Sequence, residues 1–433
     1  MSTMNSSQRR AVIIGGVRTP FVRAFGDFTP LSTIDLGAAV VRGLLHKYPI
    51  AWKDIDSMIW SGVILPSDTV NIGREILFDV GLPMEIEAYT ITRVCTSSLC
   101  AITLASAAIE RGEADVMIAG GSDSTSNAEV KMPATLVHKA APVFLNPKST
   151  VKDYFKMLTS LNPKKDLIPQ RPAIKERLTG ELMGESAEKM AKRNQISREA
   201  QDSFAYQSHT RAAKAIETGR FSDEVIPVET PNGKTVFTDN IVRGDTSIEK
   251  LGKLKPVFAK DGTLTAGNSS SLTDGASAVL LMNEEKAKSL GFQPLATMRS
   301  WSYDAVDPTD QLLIGPAISM PKAMIRAGMK RDDIDLIDIH EAFAAQVLSV
   351  LKMLNSDQFA KDRLNLEKAF GEIKPENINI HGGSVALGHP FAATGARMVI
   401  TMANELKLSG KSTALLGICG AGALSAAAVM EAV

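Results

Sequence analysis

The chain has 433 residues, 44 % of them hydrophobic, and its 48 Lys/Arg balance 48 Asp/Glu. That length accommodates two or three domains, or one duplicated core with an insertion, and the cancelled charge excludes a global field drawing it to nucleic acid or membrane. Three cysteines, Cys95, Cys100 and Cys419, are too few and too odd in number for a disulfide framework and point to a reducing compartment.

The first ten residues, MSTMNSSQRR, lack the apolar core of a secretory signal and are short for a mitochondrial presequence. The expected location is cytoplasmic, with the mitochondrial matrix as the alternative if a presequence has been removed. Residues 54–60, DIDSMIW, read as a buried strand after an amphipathic helix-like stretch. A strand ending at Val94 and a helix over Ser97 to Gly112 follow. RGEADVMIAGG (111–121) then reads as a helix end, a turn and an apolar strand.

Residues 122–265 break this pattern. They are rich in Lys, Pro and polar residues, yet GESAEKMAKRNQ and SREAQDSFAYQSHTRAAKAIETG have helical periodicity, so the stretch reads as an inserted subdomain. GASAVLLMN (275–283) is the strand expected to close the first copy. DIDLIDI (333–339) and SGKSTALLGIC (409–419) echo the earlier strands in a second copy carrying about twenty extra residues, with 354–377 as the obvious insertion. Ser412 to Met430 carries no charge and approaches a membrane-spanning length, but it is rich in Ala and Gly. It reads as two buried strands joined by a glycine turn. The domain plan is therefore 1–121 with 266–291, an insertion at 122–265, and 292–433.

Alternating strands and helices imply parallel strands, with ligands gathering at their carboxyl ends. Cys95, His340 and Cys419 all follow predicted strands, and His389 is expected to open the last long helix. A thiol at a strand-to-helix junction faces unpaired N–H groups and the positive end of the dipole, which lowers its pKa. Taken alone, Cys95 reads more readily as a small buried structural thiol, and only its partners lift it out of that reading. His389 lies behind glycines and before Pro390, which suits a first helical position, and can accept a thiol proton or simply cap a helix. The glycines beside Cys419 expose N–H groups suited to an oxyanion. HE at 340–341 lacks the second histidine of a zinc motif, and no cysteine pair supports a metal. GAGALS (420–425) is a poor dinucleotide loop, and no Walker or G-x-S-x-G sequence occurs.

VCTSS with Cys95, HEAFAAQ with His340, GGSVALGHPFAATGAR with His389 and CGAG with Cys419 together resemble the thiolase family in order and spacing over nearly the whole chain. TAGNSSSLTDGASAVLLM (265–282) resembles the family segment that closes the substrate-binding loop domain. The resemblance implies an α/β thiolase fold, with duplicated halves forming an α/β/α/β/α sandwich and an inserted loop domain. It implies reversible thiolysis of 3-ketoacyl-CoA, with CoA as co-substrate and no permanently bound cofactor. By it, Cys95 is the acylated nucleophile, His389 its base and Cys419 the acid for the departing carbanion. His340 and His389 would form one oxyanion hole, and the N–H groups of Cys95 and Ala421 the other. Met183 and Ser270 match positions that line or bind the pantetheine arm, and Phe343 matches a pocket wall. Two positions depart from many members: His340 where Asn is frequent, and Ala421 where Gly is frequent.

HEAF, the long loop insertion and 354–377 resemble the thiolase β-subunit of fatty-acid β-oxidation complexes. A homodimer core and a hydratase/dehydrogenase α-subunit are the implied partners. Residues 131–175 hold nine Lys/Arg against Asp153 and Asp166, interleaved with Val143, Phe144, Tyr154, Phe155, Met157 and Leu158. That segment suits an anionic membrane, a partner, or a solvated face near CoA phosphates. The rivals are a biosynthetic acetoacetyl-CoA thiolase, a ketoacyl synthase, which needs no second thiol acid such as Cys419, and a silent acyl-CoA-binding scaffold.

Overall fold

The computed structural model describes residues 9–170 and 175–433. The expectations on residues 1–8, and Arg171 of the basic segment, lie outside the described residues. Two compact units are distinguished, Met1–Asn127 with Lys175–Val433, and Ala128–Ile174.

The larger unit is built on one mixed sheet. Its strands are β1 (Ala11–Arg18), β2 (Val22–Arg23), β3 (Ser57–Ser61), β4 (Glu87–Ile91) and β5 (Val116–Ser124). A separate small ribbon, β6 (Val228–Glu229) with β7 (Thr235–Val236), precedes β8 (Thr273–Asn283), β9 (Ala296–Ala305), β10 (Leu336–Ile339), β11 (Thr413–Gly420) and β12 (Leu424–Ala432). The order is β10-β11-β12-β9-β1-β8-β5-β3-β4, with β2 beside β8. The two halves join where Ile13 of β1 meets Ala296 of β9.

The echoed segments do form equivalent strands, since β3 and β5 pair in parallel, as do β10 and β11. All-parallel halves, however, are not found. β12 returns from β11 across residues 421–423 and pairs antiparallel, as a short hairpin connection requires, and β8 enters antiparallel to β1 and β5. The uncharged stretch near the C-terminus is thus two buried strands. No helix among the described residues is long and apolar enough to cross a membrane.

Helices cover this sheet in three layers. α1 (Thr33–Lys47) starts at a capping box, in which Ser32 Oγ accepts the Asp35 N–H and Asp35 accepts the Ser32 N–H. With α2 (Ile72–Val80), its Leu36, Val40 and Leu44 pack on Trp60, Ile118 and Leu280. α3 (Ser97–Glu110) belongs to the middle layer. Next in the chain, α4 (Ala134–Phe144), α5 (Val151–Ser160) and α6 (Pro163–Asp166) form the smaller unit. α7 (Met183–Arg193), α8 (Arg198–Glu217), α9 (Ile248–Gly252) and α10 (Glu284–Ser289) follow in the larger one. α11 (Pro316–Ala327) and α12 (Ala344–Leu354) cover the second half, packing Met320, Met324, Val347 and Val350 on Ile339, Leu415 and Val429. α13 (Asp357–Leu364) occupies the expected 354–377 insertion, α14 (Ser384–Leu387) is one turn, and α15 (Ala393–Ser409) completes the middle layer.

Leu99 and Ile102 of α3 and Met398 and Ile400 of α15 share one core with strands of both halves, including Val279, Leu416 and Ala428. A Cβ at Gly395 would lie 2.7 Å from the Leu99 nitrogen, so only glycine lets α15 approach α3 this closely. This close crossing sets the start of α3 against the start of α15.

Candidate active site

Cys95 lies in a tight turn four residues beyond the end of β4, which stops at Ile91 rather than at Val94. Val94 takes a left-handed φ of 46°, costly for a β-branched residue and confined to the position before the cysteine. Hydrogen bonds close the turn: Thr96 N–H to Arg93 O at 3.2 Å, and Arg93 N–H to Ser97 Oγ at 2.7 Å.

Contrary to the expectation from its place before a helix, the half-buried Cys95 thiol is not acidified. Burial pushes it up to about 11, the Ala421 N–H pulls the other way, and the Asp123 charge adds to the rise. The surrounding low-dielectric packing outweighs one helix terminus. Cys419, inside β11 as its penultimate residue, is buried and also driven upward by burial and by Cys95. A thiol that keeps its proton is suited to act as an acid. Cys100 lies within α3, as the sequence suggests for a structural thiol.

His340 follows β10 and extends its ladder, its N–H donating to Gly417 O at 2.8 Å on the strand that carries Cys419. His389 does not open α15, and Pro390 does not occupy the first helical position. Three residues separate His389 from the helix start at Ala393, because Gly388 reverses the chain after α14 at φ 96°. The His389 N–H donates to Thr273 Oγ1 at 2.8 Å. The two imidazoles face each other, centroids 4.1 Å apart and planes tilted by 46°. Each binds a hydroxyl through Nδ1: His340 with Ser384 Oγ at 2.9 Å, and His389 with Thr394 Oγ1 at 2.6 Å. Both Nε2 atoms are buried with no hydrogen-bond partner among the described residues. Burial and the Arg397 charge hold His389 down at about 3, and His340 is likewise far below the usual range. Both rings are neutral at physiological pH.

Hydrogen bonds join the segments carrying these residues. Ser98 Oγ accepts the Ala396 N–H at 2.8 Å, fixing the Cys95 turn to the start of α15. Asp123, at the end of β5, accepts N–H groups from Val63, Ile64 and Ala392 at 2.9, 2.7 and 2.7 Å. Its burial pushes its carboxyl up to about 7. Arg397 forms a buried ion pair with Asp338 at 3.1 Å. Asp123, Ser384, Thr394 and Arg397 were not singled out by sequence reasoning. Three of the four lie inside the motif around His389, which was the available signal.

The remaining expected residues form one border of the second core. Phe343 packs edge-on against Phe258, centroids 5.8 Å apart, and Met183 packs on the same cluster. Ser270 donates its N–H to Ala342 O at 3.0 Å, and neighbouring Ser269 bridges to Phe343. No group of His, Cys, Asp or Glu suited to holding a metal occurs among the described residues.

The "Thiolase, N-terminal domain" family matches residues 11–285, and the "Thiolase, C-terminal domain" family matches 292–432. The chain is 42 % identical over 424 residues to the 3-ketoacyl-CoA thiolase of Aeromonas salmonicida (strain A449), covering 98 % of this chain and 97 % of that protein. It is 40 % identical over 429 residues to that of Shewanella frigidimarina (strain NCIMB 400), covering 99 % and 98 %. Among solved structures, the Bacillus anthracis acetyl-CoA acetyltransferase has a TM-score of 0.81 at 31 % identity. Human mitochondrial 3-ketoacyl-CoA thiolase has 0.81 at 30 %, and each covers 98 % of this chain and 99 % of the other.

Proposed function

The chain belongs to the thiolase family, and we propose that it is an acyltransferase cleaving 3-ketoacyl-CoA with CoA, through an acyl group carried on Cys95. The observation that carries this reading is the pair of unpartnered Nε2 atoms on His340 and His389, in a site that also holds two high-pKa thiols.

Neutral thiol and neutral imidazole form the resting pair. The Cys95 proton therefore passes to His389 Nε2 as the sulfur attacks the ketone carbonyl, rather than beforehand. The N–H groups of Cys95 and Ala421 and the His340–His389 pair are the donors for the two oxyanions. When the carbon–carbon bond breaks, its electron pair passes to the acetyl-CoA carbanion, which takes its proton from Cys419. The Cys419 thiolate next removes the proton of incoming CoA, whose sulfur displaces Cys95 from the acyl group. His389 returns its proton to Cys95, and an acyl-CoA two carbons shorter leaves. The reverse is Claisen condensation.

Met183, Ser270 and Phe343 are assigned to the pantetheine arm and the pocket wall, with 122–265 as the substrate-binding insertion. Acetoacetyl-CoA plus CoA must give acetyl-CoA, with the Cys95 peptide trapped as an acyl adduct by mass spectrometry. Full turnover by Cys95→Ser, or decarboxylation of a malonyl thioester in place of thiolysis, overturns the reading. Rates across 3-ketoacyl chains of different length separate it from a biosynthetic acetoacetyl-CoA thiolase.

A cytoplasmic β-oxidation role, with a homodimer core and a hydratase/dehydrogenase α-subunit, is part of the same proposal. So is a peripheral contact with anionic membrane through the smaller unit. There Phe144, Leu145, Val151, Phe155 and Leu158 are exposed beside Lys148, Lys152 and Lys156.

A further inference from the structure

His340 and His389 have unlike surroundings behind their rings. Both present Nε2 to the site and both contact a hydroxyl through Nδ1. Behind Ser384, however, lies a cation. Arg397 Nη2 donates to Ser384 Oγ at 3.4 Å, and Asp338 anchors Arg397 by accepting from Nη1 at 3.1 Å. Asp338, Arg397, Ser384 and His340 are all essentially inaccessible to water. Among the described residues no arginine hydrogen-bonds to Thr394 Oγ1, whose partner is His389 Nδ1.

The consequence follows from donor counting. The Arg397 guanidinium only donates, so the Ser384 oxygen accepts from it. The Ser384 hydroxyl proton is then left with His340 Nδ1, at 2.9 Å, as the acceptor facing it. If His340 carried its proton on Nδ1, two donors would converge on Ser384 Oγ and the hydroxyl proton would be buried without a partner, a costly state. The alternative satisfies both Ser384 and Nδ1: Ser384 donates to Nδ1, and His340 carries its proton on Nε2, aimed into the site where no side chain meets it among the described residues.

Building on the thiolase reading, we propose that Arg397 and Ser384 are positioning residues that lock His340 as the Nε2–H tautomer, a permanent donor to an oxyanion. His389 is left free to exchange roles. Its Nδ1–H can donate to Thr394 while Nε2 accepts a proton, which is the state a base requires. One site thus holds two neighbouring histidines with opposite duties, set by whether a cation stands behind the hydroxyl. The groups facing His340 are His389 from the turn before α15, Arg397 from α15 and Ser384 from α14, with Asp338 behind Arg397.

The test is imidazole 15N NMR of the histidine-labelled full chain, with His340→Asn used to assign the signals. In the wild type, His340 must show a protonated Nε2 and an unprotonated Nδ1. Ser384→Ala must redistribute that proton between the two nitrogens. It must also lower kcat by about 10- to 100-fold while leaving the KM for the thioester unchanged. Ser384→Thr, which keeps the hydroxyl, must restore both. Arg397→Gln is a second probe, but it breaks a buried ion pair, so the Ser384 pair decides if that variant does not fold. A wild-type His340 protonated on Nδ1, or a Ser384→Ala enzyme with unaltered tautomer and kcat, overturns the proposal. The spectrum needs no turnover. Failure here with Cys95 acylation intact leaves the thiolase reading standing, whereas failure of wild-type acylation removes that reading itself.

Discussion

The backbone N–H of Ala421 faces the Cys95 thiol and opposes the burial that lifts it to about 11. The donor is main chain, so the side chain at 421 is secondary, and Ala in place of the more frequent Gly leaves it intact. Ala421→Gly is expected to retain near-normal kcat. Ala421→Pro, which removes the N–H, is expected to lose about 10²- to 10³-fold, the usual cost of one oxyanion donor. Equal activity in the two variants, both folded by circular dichroism, would exclude the donor role.

The raised Cys95 thiol has a direct chemical consequence. Only the thiolate is alkylated, so the iodoacetamide inactivation rate of the free enzyme should climb about tenfold per pH unit from neutrality towards 10. Cys95→Ser supplies the background from Cys100 and Cys419. A plateau reached near pH 7 would show a preformed thiolate and contradict the resting pair of neutral thiol and neutral imidazole.

The same cysteine marks where sequence reasoning stopped. Its place at the start of a helix was legible because the strand and helix periodicities are local, and so were the positions of His340 and Cys419 along buried apolar runs. The pKa direction was not legible, because it depends on mass packed around the sulfur from distant segments. Asp123 was invisible for a related reason: its acceptor role needs Ala392, 269 residues later. Ser384 and Arg397 lie in plain sight in the motif around His389, yet which hydroxyl had a cation behind it depended on Asp338, on another strand. The strand–glycine turn–strand reading of Ser412 to Met430 already held the β11–β12 hairpin, but the antiparallel entry of β8 was not legible, because alternation of elements reports crossovers and not the direction in which a strand returns after a long insertion.

His209 offers a test of pH-dependent stability away from the reacting atoms. The buried ring accepts the Arg243 N–H through Nδ1 at 3.2 Å, and burial with the Arg243 charge lowers it to about 4. Above pH 6.5 the imidazole is neutral in both folded and unfolded chains and adds no penalty. Between 6.5 and about 4 the unfolded chain takes up a proton that the folded one refuses, so stability falls as the pH falls. The loss is on the order of 3 kcal/mol over that window. Urea melts should show wild type losing this amount relative to His209→Gln on going from pH 7 to 4. A pH-independent difference would rule out the buried neutral imidazole.

Arg18 of β1 and Asp239 are joined by two hydrogen bonds, 2.6 and 2.8 Å, with both side chains almost wholly buried. Asp239 also accepts the Phe21 N–H at 2.7 Å. Asp239→Asn leaves the guanidinium buried without its counter-charge and should cost about 3–5 kcal/mol. The exposed pair Arg111–Glu113 is the contrast, and Glu113→Gln should leave the denaturation midpoint nearly unchanged, because solvent screens a surface ion pair. Comparable denaturation midpoints for the two variants would mean that the buried pair contributes no more than a surface one.

In the smaller unit, α4 buries none of its residues, and Phe144, Leu145, Val151, Phe155 and Leu158 are each more than half exposed. Lys148, Lys152 and Lys156 are exposed among them, so apolar insertion and attraction to anionic headgroups act at one place. Each lysine near such a surface contributes about 1 kcal/mol, screened as salt rises. Co-sedimentation with phosphatidylserine vesicles is expected at low salt, weakening as salt is raised, with little binding to phosphatidylcholine vesicles. Phe155→Ser with Leu158→Ser should weaken binding while thiolysis is unchanged. Absence of binding at every salt concentration removes the membrane as the occupant of this face and leaves a protein partner as the reading to pursue by co-purification.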